Sequence, residues 1–564
     1  MASTSSITSN EGITWEFASD VNYGQYCTGD YWVVGPVLIS NVSPSSEYRA
    51  DGTQKNGSMF ASQITNESQG FDGLATFHIP FLSSLNAENY IGETTPIALS
   101  PGDRLISVSC ADSYPPIKLA SVLTCVSSII EDINPLRPGY TDSSKDYIST
   151  SSFSGTTWNS LLLGIDLTSY LTKSFPTSAE VLSSVSSFWF DAYEGVNARI
   201  MRPGNSMETE DTDIAAVVGN VALFLNVYDA SLNKFEILSH LVQKGIDNYS
   251  NLVNLGRRWA YLGPEGASKK FSILFAGYIL NDADMLAVGT DYATVLGGPN
   301  AFPEDNQTFV VASGASGINY GYGDYVASDI GLPEWGLSHW ELPEYDTVEW
   351  VDTSLYGQDS RRFFAMKNWI GYLFTTKLLG LQELWNHPVL FDYFNRYYAK
   401  EIEIADEVAA SNIKESLAPA DFEWNYDYVS SFNSSYFNDN SHDKVEGIGY
   451  LGISNRSNIL LYASSFNTDD TSVDLVCLNP LTASGHLLVG SSLHVPPLIT
   501  TSGIVYVKNE GAFYSNHNYE SSSIDRYTAF GNENRFYAQV VWQDSSSNII
   551  ATSNVVIVDS SQGY

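Results

Sequence analysis

Three pairs of adjacent basic residues stand out in an otherwise acidic chain. They are Arg257-Arg258, Lys269-Lys270 and Arg361-Arg362, in a sequence with 27 Lys and Arg against 64 Asp and Glu. At these frequencies about one adjacent basic pair is expected by chance. A net charge of −37 already provides solubility, so cations kept together indicate a place where an anion is held. Surface ion pairs with nearby acidic side chains are the alternative explanation.

Cations of this kind could assist β-elimination from a sugar acid. They would neutralise the carboxylate so that a carbanion-like state can form next to it, while a base removes the proton and an acid protonates the leaving oxygen. Tyr322 or Tyr325 is the predicted base and His339 the predicted acid. The predicted substrate-binding residues are Arg257, Arg258, Trp259, Lys270, Trp335, Arg361, Arg362, Asn368 and Trp369.

Each of these residues also has a simpler structural explanation. The tyrosines could pack a glycine-rich loop, and His339 could be a hydrogen-bonded loop histidine. Tryptophans are more often core residues than sugar platforms. His387, within Asn-His-Pro, fits a helix start with Pro388 in the first turn, so it is not a predicted site residue.

Glycoside hydrolysis is a second possible reaction. It needs two carboxylates on either side of the scissile bond. Glu334, with Asp324, Asp211 or Asp213, could supply them. In a chain with 64 acidic residues such a pair is easy to find, so this signal has low specificity.

Composition limits the partners and the cofactors. The acidic balance disfavours nucleic acid, which needs a basic face, and an anionic membrane surface. No Cys or His spacing typical of a zinc site occurs, so no metal or other cofactor is predicted. Cys110 and Cys125 could pair in an exported protein, or remain buried thiols. An oligomer is possible.

The first residues, MASTSSITSNEGITWEF, lack the basic and apolar regions of a signal peptide. No apolar run approaches the length of a membrane span. Charged residues make up only 16% of the chain, and a surface rich in Ser, Thr, Asn and Tyr is common in extracellular β-proteins. The predicted location is therefore extracellular or on a virion released by lysis.

The elements that must position these residues change along the chain. Runs such as YWVVGPVLISNV and IKLASVLTCVSSI predict strands before residue 133. Between 134 and 415 the apolar spacing becomes helical, as in Phe235, Leu238, Leu241 and Val242. A long loop-like segment, 290–360, interrupts the helices, and segments of that length are usually functional. After 445 the β pattern returns.

Five phrases carry a resemblance to a known group of proteins. They are ITWEFASDVNYGQYCTGDYWVVGPVLI, GIDNYSNL, KKFSILFAGYILNDADMLAVG, GLPEWGLSHW and NWIGYLFTTKLLGLQELWNHPVLFDYFNRYY. Over residues 12–400 the chain resembles largely uncharacterised bacterial proteins with a β-domain ahead of an α/α toroid, an architecture similar to polysaccharide lyases of the alginate-lyase type. The family pattern has a glycine- and histidine-rich turn before the basic helix. Here residues 263–270 contain no histidine, so this chain departs from the pattern.

The expected fold is multidomain α+β. It comprises an N-terminal β-sandwich (1–133), a central α/α toroid (134–415), a linker (416–444) and a C-terminal β-sandwich (445–564). The expected function is action on an acidic polysaccharide, by β-elimination in the toroid cleft. The alternatives are a non-catalytic glycan-binding or structural protein of a virion or cell surface, and a glycoside hydrolase.

Overall fold

The structure is a computed structural model with side-chain detail for most of the first 400 residues. It describes residues 2–88, 96–154, 177–209, 211–226, 234–259, 266–292, 301–310, 331, 333–335 and 367–394, together with eight strands between 460 and 559.

The N-terminal region forms strands wherever β-branched and aromatic residues cluster between Gly, Pro, Asn and Ser. Ten strands are described there: β1 (Ala2–Thr8), β2 (Thr14–Gln25), β3 (Tyr31–Val34), β4 (Val37–Ser43), β5 (Glu47–Tyr48), β6 (Gln54–Lys55), β7 (Ser58–Phe60), β8 (Ile97–Leu99), β9 (Arg104–Cys110) and β10 (Ile117–Val126).

Eight of these strands make one curled sheet instead of the two packed sheets of the predicted sandwich. Its order is β7-β9-β10-β3-β2-β4-β8, with β1 paired to β2, and β10 runs parallel to β3. β5 and β6 form a separate ribbon. Because side chains alternate along a strand, Leu123 and Cys125 face one core with Trp15, whereas Ala120 and Val122 face the helices.

The first of the described α-helices begins at Ser178. These helices are α1 (Ser178–Val185), α2 (Val196–Met201), α3 (Asp211–Leu225), α4 (Lys234–Asn254), α5 (Lys269–Leu280), α6 (Ala283–Leu286), α7 (Val288–Asp291), α8 (Pro303–Gln307), α9 (Lys367–Leu378) and α10 (Gln382–Trp385). A short antiparallel pair, β11 (Thr308–Val310) and β12 (Pro333–Trp335), lies among them.

Helix α4 lies at the centre of this region. Sixteen of its 21 residues are buried, polar ones included, as expected for a helix covered on several sides. It packs against α5, and α3 packs against α9. Gly245 permits the close approach to α5, because a Cβ there would lie 2.1 Å from the carbonyl oxygen of Ser272.

Arg137 joins the sheet region to the helices. Its guanidinium donates to Asp247 on α4 at 2.7 Å and to Asp30, in the turn after β2, at 2.9 Å. The side chain of Arg137 is 1% exposed. Gln243, one turn before Asp247, donates to the carbonyl oxygen of Arg137 and accepts from its backbone N–H. The proline-rich connector, residues 134–140, is therefore held against helix α4.

The C-terminal strands are antiparallel and fall into two groups. They are β13 (Leu460–Phe466), β14 (Ser472–Leu478), β15 (Gly503–Asn509), β16 (Ala512–Asn518), β17 (Tyr527–Thr528), β18 (Arg535–Gln543), β19 (Ile549–Thr552) and β20 (Val556–Asp559). One group has the order β13-β14-β17, and the other β16-β15-β18-β19 with β20 on β18.

The expected α+β composition is confirmed, but the finer architecture is not decided. The structure does not describe residues 395–459, which include the predicted linker and the end of the predicted toroid. Ring closure of the helices and packing of the two C-terminal groups as a sandwich thus remain predictions. Cys110 and Cys125 are both free thiols.

Replacement of Arg137 tests how much its ion pairs with Asp247 and Asp30 contribute to stability. Arg137→Met leaves Asp247 buried without its cation, which should lower the free energy of unfolding by about 3–5 kcal/mol. Urea unfolding followed by near-ultraviolet circular dichroism measures this change. The double variant Arg137→Met/Asp247→Leu should recover part of the loss, because no unpaired charge remains at α4. A double variant as unstable as the sum of both single variants would contradict this account.

Candidate functional site

The segment 191–194, with the sequence Asp-Ala-Tyr-Glu, is fixed by an aromatic cluster. Phe190 contacts Phe71 of the sheet region edge-to-face at 5.2 Å and Tyr193 at 5.8 Å. Phe188 contacts Tyr140 at 5.6 Å. These rings hold the backbone of the 191–194 segment between the sheet and α4.

Asp191 accepts hydrogen bonds from two cations. Lys269, at the start of α5, donates to one carboxylate oxygen, and Arg202 donates to the other at 2.8 Å. Arg202 also donates to Asp211 at 2.7 Å. Burial alone would raise the pKa of Asp191, but the charges of Arg202 and Lys269 overcome it and lower this pKa to about 2. Asp191 is therefore ionised across the physiological pH range.

Arg257 lies on the same segment without a carboxylate partner. Its Nε donates to the carbonyl oxygen of Ala192 at 2.5 Å, and the residue is only 5% exposed. Among the described residues no carboxylate lies within ion-pair distance, and Nη2 has no hydrogen-bond partner. Burial lowers the pKa of Arg257 against the raising effect of the nearby Glu194 charge. The guanidinium nevertheless stays charged, because arginine is protonated under all ordinary conditions.

Arg258 reaches the segment through its backbone. Its N–H donates to Oε1 of Glu194 at 2.5 Å, while its guanidinium lies over the ring of Tyr292, 5.2 Å from the centroid. The other oxygen of Glu194 accepts from Asn66 of the sheet region at 2.8 Å. Glu194 thus connects the sheet to the end of α4.

The charges gathered here do not cancel. We call Arg202, Arg257, Arg258 and Lys269 the cation cluster. Three described carboxylates lie in or around the 191–194 segment: Asp191, Glu194 and Asp211. Four cations and three carboxylates leave a net charge of one positive. In a chain with a net charge of −37 this is a local positive excess. Among the described residues, the guanidinium groups of both Arg257 and Arg258 lack a carboxylate partner and bond to carbonyl oxygens instead.

A small pocket opens beside the cation cluster. It has room for about one water molecule, and its described lining residues are Tyr193, Gly195, Ala198, Arg202, Asp211, Trp259 and Gly266. Gly266 has φ +84°, and a Cβ there would lie 2.2 Å from Cβ of Trp259. A side chain at position 266 would therefore clash with Trp259, which borders the pocket.

Two lining residues bring buried polar atoms without a described partner, Tyr193 Oη and Trp259 Nε1. Both residues are less than 5% exposed. Burial raises the pKa of Tyr193, although the charge of Arg257 acts in the opposite direction, so the phenol keeps its proton. The phenol and the indole N–H can both donate to an anion, and Arg257 adds charge close to Tyr193.

Lys270, a predicted substrate-binding residue, has a different role. It is 1% exposed, its Nζ lies 2.5 Å from Asp305, and it sits over the rings of Trp385 and Phe302. A lysine so neutralised stabilises the start of α5 and is not presented to a ligand. The two adjacent lysines point to different acids because consecutive helical residues are about 100° apart.

Three further predicted binding residues are core residues. Asn368 and Trp369 on α9 are 4% and 0% exposed. Trp259 stacks on Phe302 with ring centroids 5.9 Å apart, so Phe302 covers one of its faces. None of the three offers an open surface on which a sugar could stack.

The remaining predicted residues are described in part or not at all. Glu334 and Trp335 lie on β12, opposite Phe309 and Thr308 of β11, with only their backbone described. Tyr322, Tyr325, His339, Arg361 and Arg362 lie outside the described residues, as does Asp324. Their predicted roles are unchanged.

Sequence reasoning missed Asp191, Tyr193, Glu194 and Arg202. A single arginine such as Arg202 carries no signal in the sequence, because only adjacent basic residues exceed the chance expectation. The short acidic segment after the aromatic run Phe-Trp-Phe, at 188–190, could have indicated the place where the cations meet.

Comparisons with known proteins add no relative. No protein-family model, curated protein or solved structure matches this chain. Among the residues that the structure describes, no group of three or more His, Cys, Asp or Glu side chains is placed to hold a metal ion. The helices described here include none with the length and apolar character needed to cross a bilayer.

Glu304, next to the Lys270–Asp305 pair, gives a prediction about pH. Its Oε1 accepts from the backbone N–H of Ser268 at 2.8 Å and from Tyr372 Oη at 3.0 Å, and the residue is fully buried. Burial, with the nearby Asp305 charge, raises the pKa of Glu304 to about 7 from an ordinary 4.5. The folded state thus holds this proton more tightly than the unfolded state does, and the stability it provides is lost as pH rises from about 4.5 to 7.

Glu304→Gln should therefore be more stable than the wild type at pH values above about 7, by up to about 3 kcal/mol, and nearly equal to it below about pH 4.5. Melting temperatures of both proteins across this pH range measure the difference. Glu236→Gln, at an exposed position of α4, controls for the loss of a carboxylate. A Glu304→Gln difference that does not change with pH would rule out the raised pKa.

Proposed function

We propose that this chain binds an acidic polysaccharide at the cation cluster and cleaves it by β-elimination. The observation that supports binding is that the buried guanidinium of Arg257 has no carboxylate partner among the residues that the structure describes. Leaving a charge buried and unpaired destabilises a fold by several kcal/mol, and a ligand carboxylate would offset that penalty. Charge-assisted hydrogen bonds from Arg to carboxylate are also among the stronger polar contacts in proteins.

The composition of the pocket favours a sugar acid over other anions. Tyr193 and Trp259 add neutral donors, which suit the oxygen-rich surface of a saccharide. Phosphate polymers such as nucleic acid would meet strong repulsion from a chain with a net charge of −37. A polysaccharide with spaced carboxylates places less charge against the acidic surface.

The proposed cleavage uses residues beyond the pocket. Neutralisation of the carboxylate by Arg257 would stabilise the carbanion-like state. Tyr322 or Tyr325 would remove the proton and His339 would protonate the leaving oxygen, since Tyr193 with its raised pKa is a donor and a poor base. We further propose that the helices close into an α/α toroid around this cleft, and that the C-terminal strands pack as a sandwich.

Binding without cleavage is the second candidate. The donors of the pocket hold an anion whether or not a base is present, so the same geometry supports a glycan-binding protein of a virion or cell surface. Hydrolysis has less support, because Asp211 is the one carboxylate among the described lining residues and it is paired with Arg202 at 2.7 Å. Both candidate functions place the protein outside the cell or on a virion.

Binding at Arg257 can be tested directly. Arg257→Met should weaken binding to alginate or glucuronan by roughly ten- to a hundredfold, the equivalent of one charge-assisted hydrogen-bonding group. Isothermal titration calorimetry of the full chain measures this loss. Arg104→Met is the matched control, because Arg104 is equally buried and bonds only to the carbonyl oxygens of Gly102 and Lys145 among the described residues. Equal loss in both variants would remove the support for this site.

Cleavage has its own assay. Incubation of the wild type with alginate and glucuronan should yield the ultraviolet absorbance of an unsaturated uronate. Tyr322→Phe, Tyr325→Phe and His339→Gln show which of these side chains act, and at least one should abolish that absorbance while leaving the affinity measured by calorimetry unchanged. New reducing ends without absorbance would show a hydrolase, and binding without either product would show a binding protein.

A further inference from the structure

We propose that Phe77, His78 and Tyr114 form a second sugar-binding surface, one that takes uncharged sugar rings. We call these three residues the aromatic row. Phe77 is 88% exposed and Tyr114 52% exposed. The His78 ring lies between them, 4.9 Å from Phe77 and 6.0 Å from Tyr114 by ring centroids. Three contiguous rings at the surface of a protein are unusual, and exposed apolar patches commonly mark interaction sites.

The aromatic row is held by rigid backbone. Phe77 ends the short helix Gly73–Phe77, whose first turn is capped by Asp72 accepting from the N–H of Leu74 at 2.7 Å. The loop that carries Tyr114 is closed by a hydrogen bond from Ala111 N–H to the Pro116 carbonyl at 2.8 Å.

One arginine ties these two segments together. Arg49 donates to Asp72 at 2.6 Å and to the carbonyl oxygen of Ala111 at 2.5 Å. Asp72 is fully buried, and the Arg49 side chain is 5% exposed. The two backbone segments that carry the rings are therefore held together, which reduces the entropy lost when a ligand binds.

The charges around the aromatic row select against an anion. Arg49 is paired with Asp72, and Lys55 is paired with Glu47 at 3.1 Å and with the exposed Asp112 at 2.8 Å. These two described cations are thus neutralised, unlike Arg257. An acidic polymer or an anionic membrane gains nothing at this surface.

The size of the aromatic row selects against a stable protein partner. An aromatic side chain buries about 150–250 Å², so three partly exposed rings fall short of the about 800 Å² per partner in a standard interface. A sugar needs much less area. Its C–H face packs on the negative face of an aromatic ring, and the His78 nitrogens and the Tyr114 hydroxyl can bond to sugar hydroxyls.

Native gel electrophoresis through neutral polysaccharides tests the proposal on the full chain. Xylan, mannan or laminarin in the gel should slow the wild type. Phe77→Ala and Tyr114→Ala should each weaken this retention about three- to tenfold, the range for one aromatic stacking contact, and the double variant should abolish it. Tyr48→Ala is the control, because Tyr48 is 59% exposed and lies outside the aromatic row.

The outcomes are separable. Melting temperatures of Phe77→Ala, Tyr114→Ala and the double variant should match that of the wild type, because exposed rings contribute little to the core. Unchanged migration of the wild type in all three glycans would overturn the proposal, and so would equal loss in Tyr48→Ala. Sedimentation tests whether a second copy of the chain covers the aromatic row. A change of molecular mass in Phe77→Ala/Tyr114→Ala would show that it does, and this result would also overturn the proposal.

Discussion

Lys269 and Arg202 can be buried in the helical region because Asp191 accepts hydrogen bonds from both. Transfer of a charge from water to a protein interior is unfavourable unless the charge is paired and hydrogen-bonded. Asp191 meets that requirement for two cations at once, and Asp211 completes the coordination of Arg202. The start of α5, the end of α2 and the start of α3 consequently converge on the 191–194 segment.

That convergence gives Arg257 its distinctive environment. The same segment offers Arg257 only a backbone carbonyl, since Asp191 is engaged elsewhere and both oxygens of Glu194 accept from other donors. Among the described residues, the acids of this network are engaged with other donors, and the Arg257 guanidinium has no carboxylate partner. The phenol of Tyr193 and the indole of Trp259 also lack described partners. The ion pairs of Arg202 and Lys269 with Asp191 fix the 191–194 segment, and Arg257 donates to that same segment. The pairs that stabilise the fold therefore also fix the position of the proposed binding group.

The sequence allowed some of this to be predicted, and the reasons for success and failure are physical. Runs rich in β-branched and apolar residues, such as IKLASVLTCV, predicted β10, and the apolar spacing from Phe235 predicted α4, because both patterns are local. The closure of the N-terminal strands into one sheet depends on the parallel pairing of β10 with β3, which are 83 or more residues apart in sequence; no local pattern encodes that pairing.

The prediction of site residues is limited in the same way, because side-chain partners that are distant in sequence leave no local pattern. Of the adjacent basic residues, Arg257 and Lys269 both contact the 191–194 segment, yet Lys270, one residue further on, pairs with Asp305 from a distant helix. Whether a lysine meets a carboxylate 35 residues away depends on the packing of α5 against its neighbours. Arg202 was missed because an isolated arginine looks the same in sequence whether it is buried or exposed.

The most direct test of the unpaired charge is a crystal structure of the full chain soaked in bromide, with anomalous diffraction recorded. The cation cluster predicts a bromide peak within hydrogen-bonding reach of Arg257 Nη2 or Tyr193 Oη. A carboxylate of the protein itself bound to Arg257 at that position, with no bromide, would contradict the central claim that the guanidinium is free to hold a ligand.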